Sequence, residues 1–193
     1  MIKNFTREIT VTPLPVFIIA TYDENGVPNA MNAGWATQCD FHEITFFLSK
    51  HKTTDNIIKN QAFTVSLATV DTLEISDYFG IETGRRVNKI EKAGVHVTKS
   101  ELVNAPIIEE YPLTLECEVK EIRELNHDYQ IIGKVLNMRV DDSVLTDDKV
   151  DMDKLKPLCF DSATRTYRVL GGIEGKAFSA GKKSNKYGGR HNE

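Results

Sequence analysis

The sequence predicts a mainly β protein with short helices, an antiparallel barrel rather than a βαβ sheet. Three observations carry this. Runs rich in β-branched and aromatic residues recur early and late in the chain. One late run, "PLTLECEVK", alternates cleanly: Leu113, Leu115, Cys117 and Val119 share one face, and Thr114, Glu116, Glu118 and Lys120 the other. A period of two marks an antiparallel strand with one face toward solvent. Between the early and late runs lies a charged block with helical spacing.

Each element follows in order. "PLPVFIIATY" is a first strand, and it stops at "DENGVP", where Asn25-Gly26 is a hairpin signal. "NAMNAGWATQ" returns, and "HEITFFLSK" is a third strand. "TTDNIIKN" is a short helix, and "AFTVSLA" another strand. In "DTLEISDYFGIETGRRVNKIEKAG", Leu73 and Ile75 space helically to Tyr78 and Phe79, and Val87 to Ile90. This predicts a helical insertion over about 71–94, with Gly80, Gly84 and Gly94 as helix stops. "HDYQIIGKVLNMRV" is the partner of "PLTLECEVK" across "RELN". "DDKVDMDKLKP" is a helical turn, "TYRVLGG" a last short strand, and about 182–193 a flexible tail.

A chain of 193 residues suits a single domain spanning 1–193. The net charge of −4 carries no footprint for nucleic acid or an anionic membrane. The first ten residues are polar, without a signal-peptide core, and the longest apolar run, Leu14 to Ala20, is too short to span a bilayer. Cys39, Cys117 and Cys159 are far apart with no C-x-x-C pair, so buried inert thiols are expected. A reducing cytoplasm fits this pattern. The five histidines lack metal-ligand spacing, and no G-x-S-x-G, H-E-x-x-H or P-loop is present. No catalytic side chain and no metal site is therefore assigned. Any hard chemistry would come from a bound cofactor.

Two stretches point to a ligand. In "SKHKTTDNI" a short helix begins, with Thr53 or Thr54 placed to cap it. Helix starts carry unpaired N–H groups and partial positive charge, so a phosphate would fit among Lys52, His51, both threonines and the first amides. Plain capping beside a solvated lysine explains the same residues. In "NAMNAGWATQCD", small residues alternate with amide and hydroxyl side chains around the sole tryptophan, Trp35. Small residues let a flat ligand approach the backbone; a tightly packed barrel strand with a core tryptophan is the other reading.

Taken in order with "ITFFLSKHKTTDNIIKNQAFTVSLA", "DYFGIETGRRVNKIEKAGV", "PLTLECEVKEI" and "YRVLGGIEGKAFSAGK", these stretches resemble the flavin reductase-like, FMN-binding split-barrel family that includes flavoredoxin. The resemblance runs from about Pro13 to Lys182. It implies an antiparallel, Greek-key split barrel binding FMN near the interface of a homodimer. It places the isoalloxazine edge against Asn29, Ala30, Met31, Asn32, Ala33, Trp35, Ala36 and Thr37. It places the phosphate near Ser49, His51, Lys52, Thr53 and Thr54, with Asn56 supporting the turn. Where the family often shows Ser-Gly and Lys-Phe, this chain has Thr83-Gly84 and Lys89-Ile90. Lys52 stands where arginine is common, which forgoes a bidentate fork. The implied activity is hydride transfer from NAD(P)H to flavin N5, serving free flavin or an acceptor protein; the alternatives are an FMN-binding electron carrier without reductase turnover of its own and a non-enzymatic β-barrel binding module. Lys89, Arg85 and Arg86 are candidates for charge near the ring or for a nicotinamide phosphate; an exposed helix face is the alternative.

Overall fold

The computed structural model describes residues 1–6 and 9–183. Seven strands form one antiparallel sheet: β1 (Phe17–Tyr22), β2 (Pro28–Ala33), β3 (Ala36–Asp40), β4 (Glu43–Ser49), β5 (Ala62–Leu67), β6 (Leu113–Glu124) and β7 (Asp128–Val140). Their order is β2-β1-β5-β6-β7-β4-β3. Because β4 returns beside β7 rather than β5, strands β4 to β7 make a Greek key.

The sequence-adjacent strands β2 and β3 stand at opposite edges of this sheet, yet only Gly34 and Trp35 separate them. Three residue steps reach at most about 11 Å. The sheet must therefore curl until its edges approach at this point. No ladder joins β2 to β3, so the barrel is split along that seam. "NAMNAGWATQ", expected as one strand, is thus two. It leaves its pairing with β1 at Ala33, opposite Phe17, and takes up pairing with β4 at Ala36, opposite Phe46. The Phe47 N–H donates to the Trp35 carbonyl at 2.9 Å and anchors the switch.

β1 is a wall between two cores, and its period of two assigns each side chain. Phe17 and Ile19 point into the barrel, where Phe46 sits edge-on to Phe17 and Phe63, with ring centroids 6.1 and 5.9 Å away. Ile57 of α1 (Lys52–Asn60) joins this core. Val16, Ile18 and Ala20 face outward and pack on Phe79 of α2 (Leu73–Ile81) and Ile90 of α3 (Lys89–Ala93). The two expected helices are present, but Gly80 lies inside α2 rather than ending it. Gly94 does end α3, at φ 67° in the left-handed region that glycine tolerates.

A three-stranded sheet of Leu14–Pro15, Leu158–Asp161 and Thr166–Val169 stands apart from the barrel. The expected last strand therefore exists but does not pair with the seven. "DDKVDMDKLKP" holds a short strand, Lys149–Val150, before the helix Met152–Leu155. The expected flexible tail lies, from residue 184 onward, outside the described residues. Of the thiols, Cys117 is buried and its pKa is pushed up to about 12 by burial. Cys39 corrects the expectation: it is exposed, because β3 is an edge strand. Among the described residues, no helix is long and apolar enough to cross a membrane.

Candidate functional site

β2 forms the floor where α1, α2 and the loop before α3 converge. α1 begins one residue before the expected caps. Its N-cap is His51, in extended backbone and without a side-chain cap bond. The first helical bond runs from the Asp55 N–H to the His51 carbonyl at 3.0 Å. The N–H groups ahead of it have no partner within the helix. Thr53 and Thr54 lie inside the first turn, and their β-branched side chains are buried at 1% and 0% exposure. The Thr53 hydroxyl accepts from the Asn29 amide at 2.6 Å, and the Thr54 hydroxyl donates to the Ser49 carbonyl at 2.7 Å. Neither is free to cap.

These residues border a polar cleft of about 270 Å³ lined by Asn29, Asn32, His51, Lys52, Thr53, Thr83, Gly84 and Lys89. Lys52 Nζ lies 3.2 Å from Asp23 Oδ2. The other Asp23 oxygen accepts from the Asn25 and Val27 amides, which ties the β1–β2 turn to this lysine. Burial pushes the Asp23 carboxyl up, but those amides and Lys52 outweigh it and its pKa is lowered. Gly84 closes the cleft over β2: a Cβ there would meet Asn29 Oδ1 at 2.1 Å. Lys89 is 3% exposed, and its ammonium donates to the Phe79 carbonyl at 2.9 Å. Burial lowers its pKa to about 8, against an opposing pull from Glu82. The exposed-face reading thus fails for Lys89. Arg85 and Arg86 are exposed, but on the turn between α2 and α3 rather than on a helix face, and the Arg85 guanidinium pairs with Asp55 at 2.6 Å. Asn56 is buried, with its Nδ2 unpartnered among the described residues.

A second cleft, of about 440 Å³, continues from the first through Met31, Asn32, His51, Gly80 and Ile81. Its walls include Ala33, Trp35, Leu48, Ser49, Phe160 and Tyr167. Trp35 is 66% exposed, so it is not a core residue. The Asn32 amide is aimed by the Ser76 carbonyl at 3.0 Å. The Tyr167 hydroxyl donates to Asp77 Oδ1 at 2.7 Å.

The structure thus brings Asn29, Met31, Asn32, Ala33, Trp35, Ser49, His51, Lys52, Thr53 and Lys89 onto one composite cleft. Five candidates, Asn56 among them, stand off its walls. Ala30 is buried in the helical core, Ala36 packs against the barrel core, Thr54 is turned inward, and the Thr37 hydroxyl donates to its neighbour's carbonyl. Asn56 borders an adjoining trough with Lys52, Asp55 and Arg85. Sequence reasoning did not place Asp77, Gly80, Ile81, Phe160 or Tyr167 at the site. Phe160 and Tyr167 are cross-strand partners on the small sheet, and only long-range packing delivers that pair to the cleft.

The architecture is a split barrel whose flank carries a cation-bearing pocket opening into an aromatic-walled slot. The chain belongs to the flavin reductase like domain family, whose profile matches residues 10–168. It is similar to the flavoredoxin of Desulfovibrio vulgaris (Miyazaki F), at 33% identity and TM-score 0.88, covering 94% of this chain and 100% of that one. The flavoredoxin of Methanosarcina acetivorans is 26% identical, with TM-score 0.87 over 94% of this chain and 98% of that one. The fold also matches an FMN-binding protein from Thermus thermophilus, at 16% identity and TM-score 0.73, over 91% of this chain and 99% of that one.

Proposed function

We propose that this chain is an FMN-binding oxidoreductase, working as a flavoredoxin-type electron carrier or an NAD(P)H:flavin reductase. The observation that carries this reading is the composite cleft. One end offers Lys52, Lys89, His51 and the uncapped start of α1; the other is an aromatic-walled slot. That pairing suits a ligand with a phosphate at one end and a flat ring at the other. The names of the similar proteins, two flavoredoxins and an FMN-binding protein, support the same ligand.

The chain's own residues have binding and orienting roles. Lys52 and the first amides of α1 hold the phosphate, with Lys89 beneath it. Asn29 and Thr53 lock β2 to α1, so that the two ends keep a fixed separation. Met31, Asn32, Ala33 and Trp35 border the ring, and Asn32 is held in place by Ser76. FMN, when bound, would supply two-electron redox chemistry, with reduced nicotinamide as the hydride source. Such a transfer needs close stacking and no strong acid or base. The exposed Trp35 at the rim leaves room for a second copy, and we propose a homodimer.

The test begins with the purified protein. A flavin absorbance spectrum and the mass of FMN in the released cofactor are expected. Trp35 emission should be quenched relative to apoprotein. Sedimentation should give about twice 21.7 kDa. NADH or NADPH oxidation under added FMN separates the reductase from the carrier. A colourless protein that takes up no flavin would overturn the proposal.

A further inference from the structure

The two ends of the composite cleft carry opposite charge. Lys52 and Lys89 line the smaller part. Among the described residues, no lysine or arginine lines the larger part, and Asp77 is its one carboxylate. Asp77 has no ion-pair partner among the described residues. One of its oxygens accepts from the Tyr167 hydroxyl at 2.7 Å, which spends the only proton of the pair. Burial, reinforced by Asp77, pushes the Tyr167 pKa up to about 12, so the phenol stays neutral. The pair therefore offers acceptors and one negative charge among aromatic and aliphatic walls that include Trp35, Phe160 and Ile81.

We infer that Asp77, aimed by Tyr167, is a recognition site for a flat cationic heterocycle, and that its ligand is the oxidised nicotinamide ring. This rests on the cofactor reading above. When a reduced nicotinamide gives up hydride, its C4–H bond breaks and both electrons leave with the hydrogen. The flavin is reduced by two electrons, and the nicotinamide ring departs as a cation. A fixed carboxylate beside that ring is worth little to the neutral reactant and more to the developing cation, so it lowers the barrier selectively. Its free oxygen also suits the N–H of a carboxamide. A carboxylate here would repel the phosphates of the same ligand, so it favours entry ring first.

The experiment uses holoprotein and two probes, 1-methylnicotinamide and nicotinamide, titrated by calorimetry. The first is a cation, and the second is its neutral counterpart. Wild type should bind the cation about tenfold more tightly, the scale of a partly screened unit charge at contact. Asp77→Asn keeps the shape and an oxygen for Tyr167 but removes the charge, and should bind both probes equally. Tyr167→Phe should lose part of the preference. FMN and riboflavin affinities should not change in Asp77→Asn. Anaerobic hydride transfer from NADH should slow about tenfold in Asp77→Asn, in the rate constant rather than in KM. Equal binding of the two probes by yellow wild-type protein would overturn this inference and leave the cofactor reading standing. So would a preference that survives in Asp77→Asn. If Asp77→Asn weakens riboflavin, the carboxylate serves the cofactor ring and the inference fails. Protein that takes up no flavin overturns both readings.

Discussion

Asn29 donates its side-chain amide to the Thr53 hydroxyl at 2.6 Å, in a contact that is buried on both sides. This one bond joins β2, the floor of the cleft, to the first turn of α1, where the cations gather. A Cβ at Gly84 would collide with the other end of the same amide. We expect Thr53→Val to leave the Asn29 donor buried and unpaired, costing about 1–3 kcal/mol. Thr53→Ser keeps the hydroxyl and should cost much less. Urea denaturation of both variants checks this, and equal stability would show that the bond is immaterial.

Gly133 of β7 faces Phe63, and a Cβ there would lie 2.4 Å from Phe63 Cζ. Phe63 is fully buried at the centre of the barrel, so the ring has nowhere to retreat. Gly133→Ala should therefore destabilise the barrel by about 1–3 kcal/mol, the usual scale of overpacking. Phe63→Leu alone should also destabilise, by opening a void. Combined, the two should cost less than their sum, because the smaller side chain makes room for the new methyl group. Strict additivity in thermal melts would sink this account.

The barrel strands are legible in the sequence wherever one face meets solvent, since burial then imprints a period of two, as from Leu113 to Lys120. The break at Gly34 is not legible. Nothing local distinguishes a strand that continues from one that jumps to the opposite edge; closure of the whole sheet decides it. At the site, the residues beside the α1 start can be read because helix termini have known needs. Yet the cap falls on His51, since packing against Asn29 and Ser49 claims both threonines. Lys89 sits in a charged block, where a site residue and a solvated one look alike; in the fold it is buried, with its ammonium on the Phe79 carbonyl of another helix. Tyr167 and Phe160 come from a sheet whose position only tertiary contacts determine.

Lys89 should make stability depend on pH in a recognisable window. Burial lowers its folded pKa to about 8 from 10.5. Between those values the unfolded chain holds a proton that the folded chain has released. Stability contributed at this site therefore rises with pH from about 8 to 10.5. Below about 8 the cost of burying the ammonium is fully present. Cys117, pushed upward by burial, acts in the opposite sense at high pH, so the comparison must be differential. Relative to Lys89→Met, wild type should gain stability across that window in urea titrations. A constant difference would mean that the lysine does not titrate there. FMN affinity should fall above about pH 8 in wild type but not in Lys89→Met, as the ammonium beneath the proposed phosphate loses its charge.

Lys52 offers the sharpest test of where the phosphate sits. It is the first residue of α1, it lines the polar cleft, and its ammonium is held at 3.2 Å by Asp23. FMN and riboflavin share the ring and the ribityl chain, so only contacts to the phosphate can tell them apart. A hydrogen bond to a charged group is worth about 1.5–3 kcal/mol, so Lys52→Ala should cost FMN about 10- to 100-fold in affinity. Riboflavin should change little. The fold should survive, because a partly exposed ion pair adds about 0–1 kcal/mol. Thr54→Val is the control. Its hydroxyl is fully buried against the Ser49 carbonyl, so it acts through the position of the helix and should weaken both ligands alike. Titrating both ligands into both variants separates a direct phosphate contact from a structural one. If Lys52→Ala weakens FMN and riboflavin equally, the lysine does not meet a phosphate and the anion end of the cleft lies elsewhere.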